Sequence, residues 1–215
     1  MSNVPFKEVR VIFNKKGSAM WFSHLDLMRA VSRALRRSHL DIWMSEGFTP
    51  RPHIVFTPPL SLGYESTAEI MDFRLNLDAK MDIQKLKDCF PPALKVNEIY
   101  YPKTKMKDIV FADYEINLTT NHSAKEIADF FGSPVEMVKK TKRGESTVDI
   151  TQFIKTFEIT ETDRGVKIKT TLCCSAEATL NPSYMLTALT EHGFDYRYPS
   201  VCRTGFRTES LESFR

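Results

Sequence analysis

The sequence lacks the motifs by which several large enzyme classes are recognised. It contains no phosphate-binding GxxxxGKS/T loop, no dinucleotide-binding GxGxxG, no HExxH and no GxSxG. It also has no run of about 18 apolar residues that could cross a membrane as a helix, and Met1–Arg10 has no apolar signal segment. We therefore expect a cytoplasmic protein without membrane contacts, and not a nucleotide hydrolase, dehydrogenase or serine hydrolase.

The sequence also has few cysteines and a small net charge. The 4 cysteines form no CxxC pair and no Cys/His finger, which predicts reduced thiols. Glu69 and Asp72 lie at odd spacing in a predicted strand, so they point to opposite faces and form no metal-binding cluster. We predict no metal and no cofactor in this chain. Because the formal charge is only +3, nucleic-acid binding would have to come from local basic patches.

What is present is a regular succession of strands and helices. In the first half, alternating and helical patterns predict strands at 7–13, 54–56, 67–77 and 94–101, and helices at 23–38 and 82–90. The order β-α-β-β-α-β within roughly one hundred residues is typical of a split βαβ, or ferredoxin-like, unit. This order predicts a four-stranded antiparallel sheet with both helices on one face.

The second half resembles the first loosely. After a charged linker at 102–108, the patterns predict a strand at 110–118, a helix at 123–131, two hairpins between 135 and 174, a helix to His192 and a last strand at 196–202. The predicted fold class is therefore α+β, with two ferredoxin-like antiparallel sheet units packed in tandem. We expect domains at 1–102 and 109–203, followed by a polar tail at 204–215 that frays.

The first helix carries a stripe of arginines. Ser23 and Asp26 resemble a capping box with Asp in place of Glu, and they open the helix. The predicted core stripe of this helix is Leu25, Met28, Val31, Ser32 and Leu35. The arginines gather on one face: Arg29, Arg33, Arg36 and Arg37. Guanidinium groups bind phosphate bidentately, so the stripe could follow a nucleic-acid backbone, or it could be a solvated face with Asp26 as a structural partner.

The loop after this helix combines rigid backbone with polar and aromatic side chains. Its backbone-fixing residues are Gly47, Pro50 and Pro52. They present Arg51 and His53 beside Phe48 and Trp43, a combination typical of single-stranded nucleic-acid binding. The alternative is a structural loop in which Phe48 and Trp43 belong to the core.

Two further sets of residues are candidates for function. A predicted hairpin tip in the second half is basic and could contact a nucleic-acid backbone or simply aid solubility; its candidates are Lys140, Lys142 and Arg143. His24 and His53 could act as general base and acid in metal-independent RNA cleavage through the 2′-hydroxyl. For His24, a structural role at the helix start is the alternative.

A family resemblance is carried by the run FSHLDLMRAVSRALRRSHLDIWMSEGFTPRPHIVFTPPLSLGYESTAEIMDFRL. The matching features are Arg10 and Phe13 in the first strand, the Ser23-His24-Leu25-Asp26 helix start, Arg29, the Gly47-Phe48-x-Pro50-x-Pro52 loop, and Leu62-Gly63, Ser66 and Glu69 beyond it. This pattern resembles the bacterial radical-SAM-linked family, a domain of unknown function found alone or fused behind a radical-SAM-like domain. The resemblance extends over about residues 5–200, with its diagnostic motifs before Leu77.

The resemblance implies a bacterial, cytoplasmic, stand-alone member. The cluster-binding motif CxxxCxxC is absent from this sequence, so the resemblance implies that a separate radical-SAM protein is the partner. A looser likeness links the chain to CRISPR RNA-processing proteins with two ferredoxin-like domains. Their glycine-rich loop near the C-terminus is missing here, since Gly205 stands alone.

Taken together, these patterns favour a non-catalytic module that binds RNA or a ribonucleoprotein. It would recruit tRNA, rRNA or a ribosomal protein beside the radical-SAM partner. Two alternatives stay open: a metal-independent endoribonuclease, and an adaptor that binds only proteins.

Overall fold

The structure, a computed structural model, describes residues 6–141 and 144–215. The chain divides into two compact units. The first extends to Asp108 and also includes Arg215, and the second is Ile109–Phe214. Among the described residues, no helix combines the length and the apolar character that crossing a membrane requires.

The first unit is a four-stranded sheet with two helices. Its elements are β1 (Phe6–Lys15), α1 (His24–Arg37), β2 (Ile54–Phe56), β3 (Glu65–Asn76), α2 (Ile83–Cys89) and β4 (Val96–Tyr100). The strand order is β4-β1-β3-β2, and every neighbouring pair is antiparallel. Strands β1 and β2 therefore run parallel with β3 between them, which is the predicted split βαβ arrangement.

The second unit repeats this order with one insertion. Its elements are β5 (Phe111–Thr119), α3 (Ala124–Phe131), β6 (Glu136–Thr141), β7 (Gly144–Asp149), β8 (Ile154–Thr162), β9 (Gly165–Cys173), α4 (Pro182–Glu191) and β10 (Arg197–Arg207). The sheet order is β10-β5-β9-β8, again antiparallel. The hairpin β6-β7 is a separate two-stranded sheet inserted between α3 and β8. The predicted α+β class is thus confirmed.

The core of the first unit lies between its sheet and its helices. Alternate residues of β1 and β3 point into this core and are completely buried: Val9, Val11, Phe13, Met71, Phe73 and Leu75. They pack with Leu27, Val31 and Leu35 of α1 and with Leu86 of α2. Burying one such side chain stabilises the fold by about 1.5–3 kcal/mol. Strand alternation then places the intervening residues of β1 and β3 on the opposite, helix-free face of the sheet.

The buried face of α1 differs from the predicted stripe. The structure buries Leu27, Val31, Ala34 and Leu35. The prediction was right for Val31 and Leu35, but wrong for Leu25 and Met28, which are 53% and 40% exposed. Apolar residues cover a wide arc of the helix, so the sequence alone does not define one buried face. Packing against the sheet buries the part of the arc that includes Leu27 and Ala34.

The end of the chain also differs from expectation. A frayed tail was predicted from Thr204, but β10 continues to Arg207. Phe206 and Phe214 are both 3% exposed, and the Phe214 N–H donates to the Phe206 carbonyl at 2.9 Å. The two buried rings, the Arg207–Ser213 bridge and the bond from Arg207 Nη1 to the Leu211 carbonyl hold the end of the chain against β10.

Candidate nucleic-acid interface

The start of α1 is capped as the sequence predicts. The Ser23 Oγ accepts a hydrogen bond from the Asp26 N–H at 3.1 Å, and the Ser23 hydroxyl donates to the Asp26 carboxylate at 2.6 Å. Asp26 also lies 3.9 Å from the Arg29 guanidinium in a loose, exposed ion pair. Such a cap stabilises a helix by about 1 kcal/mol. Ser23 and Asp26 therefore fix where the arginine-bearing helix begins.

The arginines of α1 all lie on its exposed side. Arg29, Arg33, Arg36 and Arg37 are each exposed. Arg36 Nη2 donates to the Pro50 carbonyl at 3.2 Å, and Arg37 Nη2 donates to the Cys89 carbonyl at 2.7 Å. Each guanidinium has five N–H groups, so these single bonds orient the two side chains and leave donors for a ligand. The predicted stripe is present as a surface, and two of its members are already held in place.

The loop that follows presents an aromatic ring to solvent. Met44 and Pro52 pair as a β-bridge. Inside that bridge, the Ser45 N–H donates to the Arg51 carbonyl at 2.8 Å, and the Arg51 N–H donates to Ser45 Oγ at 3.1 Å. Gly47 has φ +118°, which an L side chain rarely adopts. At the tip, Phe48 is fully exposed, at 109%. The alternative that Phe48 belongs to the core is therefore wrong.

This loop lies beside the arginines. The Arg36–Pro50 hydrogen bond ties it to α1, and Arg51 is itself exposed. We call this surface the arginine–loop surface: Arg29, Arg33, Arg36, Arg37, Phe48 and Arg51. An unpacked aromatic ring on a loop that Arg36 ties to α1 suits a flat base whose phosphate backbone is bound by exposed arginines.

A second surface lies on the helix-free face of the sheet in the first unit. A groove of about 200 Å³ is lined by Glu8, His53, Val55, Asp72, Phe73, Arg74, Lys105 and Met106. Sequence reasoning named His53 for binding but missed Glu8 and Arg74. Glu8 and Arg74 lie opposite each other in the pairing of β1 with β3. Aligning the alternating residues of these two predicted strands could have identified this pair from the sequence.

Arg74 is the central cation of this groove. Its guanidinium lies 3.8 Å from the centre of the Phe6 ring and 5.5 Å from that of Trp43, and 3.6 Å from the Glu8 carboxylate. Its Nε is buried and has no hydrogen-bond partner. Unpaired buried donors are rare and costly. The Nε is enclosed by protein, but the Arg74 side chain as a whole is 22% exposed, so the end of the guanidinium can reach a ligand.

His53 sits against the same aromatic group. Its ring packs edge-on to Trp43 with centroids 6.1 Å apart, and Trp43 contacts Phe6 at 6.0 Å. Burial, and next the positive charge of Arg74, hold the pKa of the His53 imidazole below its ordinary value of 6.5. At neutral pH His53 is therefore an uncharged ring that can pack against a base or exchange a hydrogen bond.

The two histidines considered for acid–base chemistry are not brought together. His24 packs edge-on to Phe56 at 5.6 Å, and Phe56 packs against the core on the helix-bearing side of the sheet. His53 instead lines the groove on the other face. One phosphodiester cannot contact both rings in this arrangement.

His24 does line a small cavity with buried charged residues. The cavity also contacts Lys15 and Glu69, which are 2% and 3% exposed, together with Thr57. Lys15 Nζ donates to the Met20 carbonyl at 3.3 Å. Sequence reasoning missed Lys15, because a lysine at the end of a strand is usually exposed.

The remaining predicted basic residues are Lys140, Lys142 and Arg143. Lys140 lies in β6 opposite Glu145 of β7. Lys142 and Arg143 lie outside the described residues. Among the residues that the structure describes, no group of three or more His, Cys, Asp or Glu is placed to hold a metal ion.

Comparison with solved structures concerns the fold. A chain of "Crystal Structure of a Cbf5-Nop10-Gar1 Complex" is similar, with a TM-score of 0.51 and 10% sequence identity over 95% of this chain. The match covers 50% of that chain, so this protein spans about half of its length. "Crystal Structure of an Unknown Protein from Galdieria sulphuraria" gives a TM-score of 0.26 at 10% identity, covering 93% of this chain and 99% of that one. That second likeness carries no argument.

Comparison with sequences identifies the family. None of the curated proteins matches the chain. A sequence model of one bacterial family, however, matches residues 8–182, which include most of both units and the whole arginine–loop surface. The chain therefore belongs to the family described as "Uncharacterized protein conserved in bacteria (DUF2344)".

Proposed function

We propose that this protein is a non-catalytic module that binds RNA or a ribonucleoprotein through its arginine–loop surface. The observation that carries the proposal is the exposed ring of Phe48, at the tip of a hydrogen-bonded loop that also bears Arg51 and that Arg36 of α1 contacts. An isolated exposed apolar residue needs no explanation. An exposed ring on a hydrogen-bonded loop, with exposed arginines on the same loop and on the helix it contacts, is a combination suited to single-stranded nucleic acid.

The charges support this choice of ligand over a neutral one. Phosphates attract the exposed guanidinium groups of Arg29 and Arg33, while Arg36 and Arg37 are pre-oriented by their carbonyl contacts. Pre-orientation reduces the side-chain entropy lost on binding. Stacking a base on one aromatic ring contributes about 1–3 kcal/mol.

We also propose that the module works beside a separate radical-SAM protein and recruits tRNA, rRNA or a ribosomal protein to it. Support comes from the resemblance in residues 22–75 together with the absence of CxxxCxxC from this chain. The endoribonuclease alternative loses its acid–base pair, because His24 and His53 face opposite sides of the sheet. The protein-only adaptor stays as the competing proposal.

The decisive experiment is to purify the full chain gently from its bacterial host at low salt and measure the 260/280 nm absorbance ratio. Any retained RNA would be sequenced, with the Phe48→Ala variant purified in parallel. We expect a raised ratio with one enriched RNA for the wild type, and a clear loss of that RNA for the variant. Protein free of RNA that also shifts no cellular RNA in a gel would overturn the proposal in favour of the adaptor. Nuclease treatment before a pull-down separates partners held through RNA from those held directly.

A further inference from the structure

The groove on the helix-free face has the size of a site for one base. Its volume is about 200 Å³, below the roughly 300–1,000 Å³ of pockets that enclose a drug-sized ligand. Val55, Met106 and the imidazole of His53 provide apolar and aromatic wall. A flat ring can therefore enter, while an attached sugar and phosphate would stay outside.

The groove contains an ion pair and a further cation. Glu8, on β1, faces Arg74, on β3, and their charged ends lie 3.6 Å apart. The Glu8 side chain is 44% exposed and the Arg74 side chain 22% exposed, so the carboxylate is open to a ligand. Arg74 is oriented by its two aromatic contacts, and the exposed part of its guanidinium faces the groove that it lines. Lys105 adds a second cation at the rim.

We infer that this groove binds a single guanine base through its Watson–Crick edge. Guanine is the RNA base that places two neighbouring N–H donors, N1 and N2, beside a carbonyl acceptor, O6. The two oxygens of the Glu8 carboxylate accept from N1 and N2. The adjoining Arg74 cation donates to O6. Adenine, cytosine and uracil cannot supply two donors to one carboxylate on this edge.

This inference deepens the proposed function, since it names a base that the RNA ligand would carry, but it can be tested separately. Trp43 contacts His53, so its fluorescence reports on the groove. The chain has 2 tryptophans, and Trp21 is 63% exposed, so Trp21→Phe leaves Trp43 as the sole reporter with little structural change. GMP, AMP and IMP would be titrated into the full chain carrying this substitution.

We expect GMP to bind at least about tenfold more tightly than AMP, with IMP weakened because it lacks the N2 donor, as the loss of one hydrogen bond to a charged group implies. Glu8→Gln should abolish the preference for GMP. The matched control is Glu98→Gln, because Glu98 is exposed and lies on β4, on the same face of the sheet but outside the groove. Circular dichroism would confirm that both variants fold.

Three results would overturn the guanine assignment: no response to GMP, equal affinity for GMP and AMP, or a preference that survives Glu8→Gln. If RNA is retained on purification while GMP does not bind, the guanine site fails and the RNA-binding proposal stands. If GMP binds with the expected preference while no RNA is retained, the guanine site stands and the arginine–loop proposal fails.

Discussion

Arg10 and Asp72 form a buried, bidentate ion pair across β1 and β3. Nε and Nη2 of Arg10 each donate to one carboxylate oxygen of Asp72 at 2.8 Å. Arg10 is 0% exposed and Asp72 7%, and Arg10 Nη1 also donates to Thr104 Oγ1 at 2.7 Å. This geometry satisfies both charges inside the protein. Arg10 and Asp72 thus support the helix-free face, and the neighbouring Glu8 and Arg74 are the charges available to a ligand.

Replacing Asp72 by Ala should therefore destabilise the fold strongly. The substitution removes the carboxylate that compensates a buried guanidinium, and breaking such a pair costs about 3–5 kcal/mol. Urea denaturation followed by circular dichroism would measure the loss. The control is Glu8→Ala, which removes a looser and more exposed pair with Arg74 on the same two strands and should cost no more than about 1 kcal/mol. Equal losses in the two variants would contradict the role given to Arg10 and Asp72.

Phe48→Ala should weaken RNA binding without affecting stability. The ring is fully exposed and contributes no buried surface. If one base stacks on it, the substitution costs about 1–3 kcal/mol, or roughly 5- to 150-fold in affinity. Fluorescence anisotropy with a short single-stranded RNA measures the affinity, and thermal unfolding measures the stability. Leu77→Ala is the control, since Leu77 is 44% exposed and outside the arginine–loop surface; an equal effect there would exclude a stacking role for Phe48.

Arg51→Ala should lower RNA affinity clearly more than Lys80→Ala. Both side chains are exposed, but Arg51 belongs to a hydrogen-bonded loop beside the helix arginines. Loss of one phosphate contact should reduce the slope of log K against log salt by about one. The measurement is a salt titration of binding for the wild type and both variants. Equal effects of the two substitutions would remove Arg51 from the interface.

Much of the fold is encoded locally and could be predicted from the sequence. The alternation in β1 and β3 and the cap at Ser23 are signals that depend on neighbours in the chain. Their order was enough to predict the ferredoxin-like arrangement of both units. The buried face of α1 was predicted only in part, because Leu25 and Leu27 are both apolar and only contact with the sheet distinguishes them.

Of the two candidate surfaces, only the arginine–loop surface could be predicted from the sequence. The arginines and the loop around Phe48 are contiguous in sequence, so they could be named without a structure. The groove is different, because it combines Glu8, His53, Arg74 and Lys105 from four separate segments. Nothing local distinguishes Arg74 from any other charged strand residue. Its importance comes from the register that places it opposite Glu8 and from its contacts with Phe6 and Trp43.

The position of His53 in the groove leads to a prediction about how the stability of the protein depends on pH. Burial and then Arg74 lower the pKa of His53 below 6.5 in the folded protein. The unfolded chain therefore binds more protons than the folded chain as the pH falls through 6.5. The stability associated with neutral His53 is complete above that pH and decreases as the pH falls toward the folded pKa. His53→Gln should flatten this part of the stability–pH profile.

An NMR titration of the His53 imidazole, assigned with the His53→Gln variant, measures its pKa directly. We expect a midpoint below 6.5. Arg74→Gln should raise that midpoint, because it removes the nearby cation, while burial continues to oppose protonation. A midpoint at or above 6.5 in the wild type would contradict a neutral His53 in the groove. A midpoint unchanged by Arg74→Gln would show that the charge of Arg74 does not act on His53, and burial alone would then account for the shift.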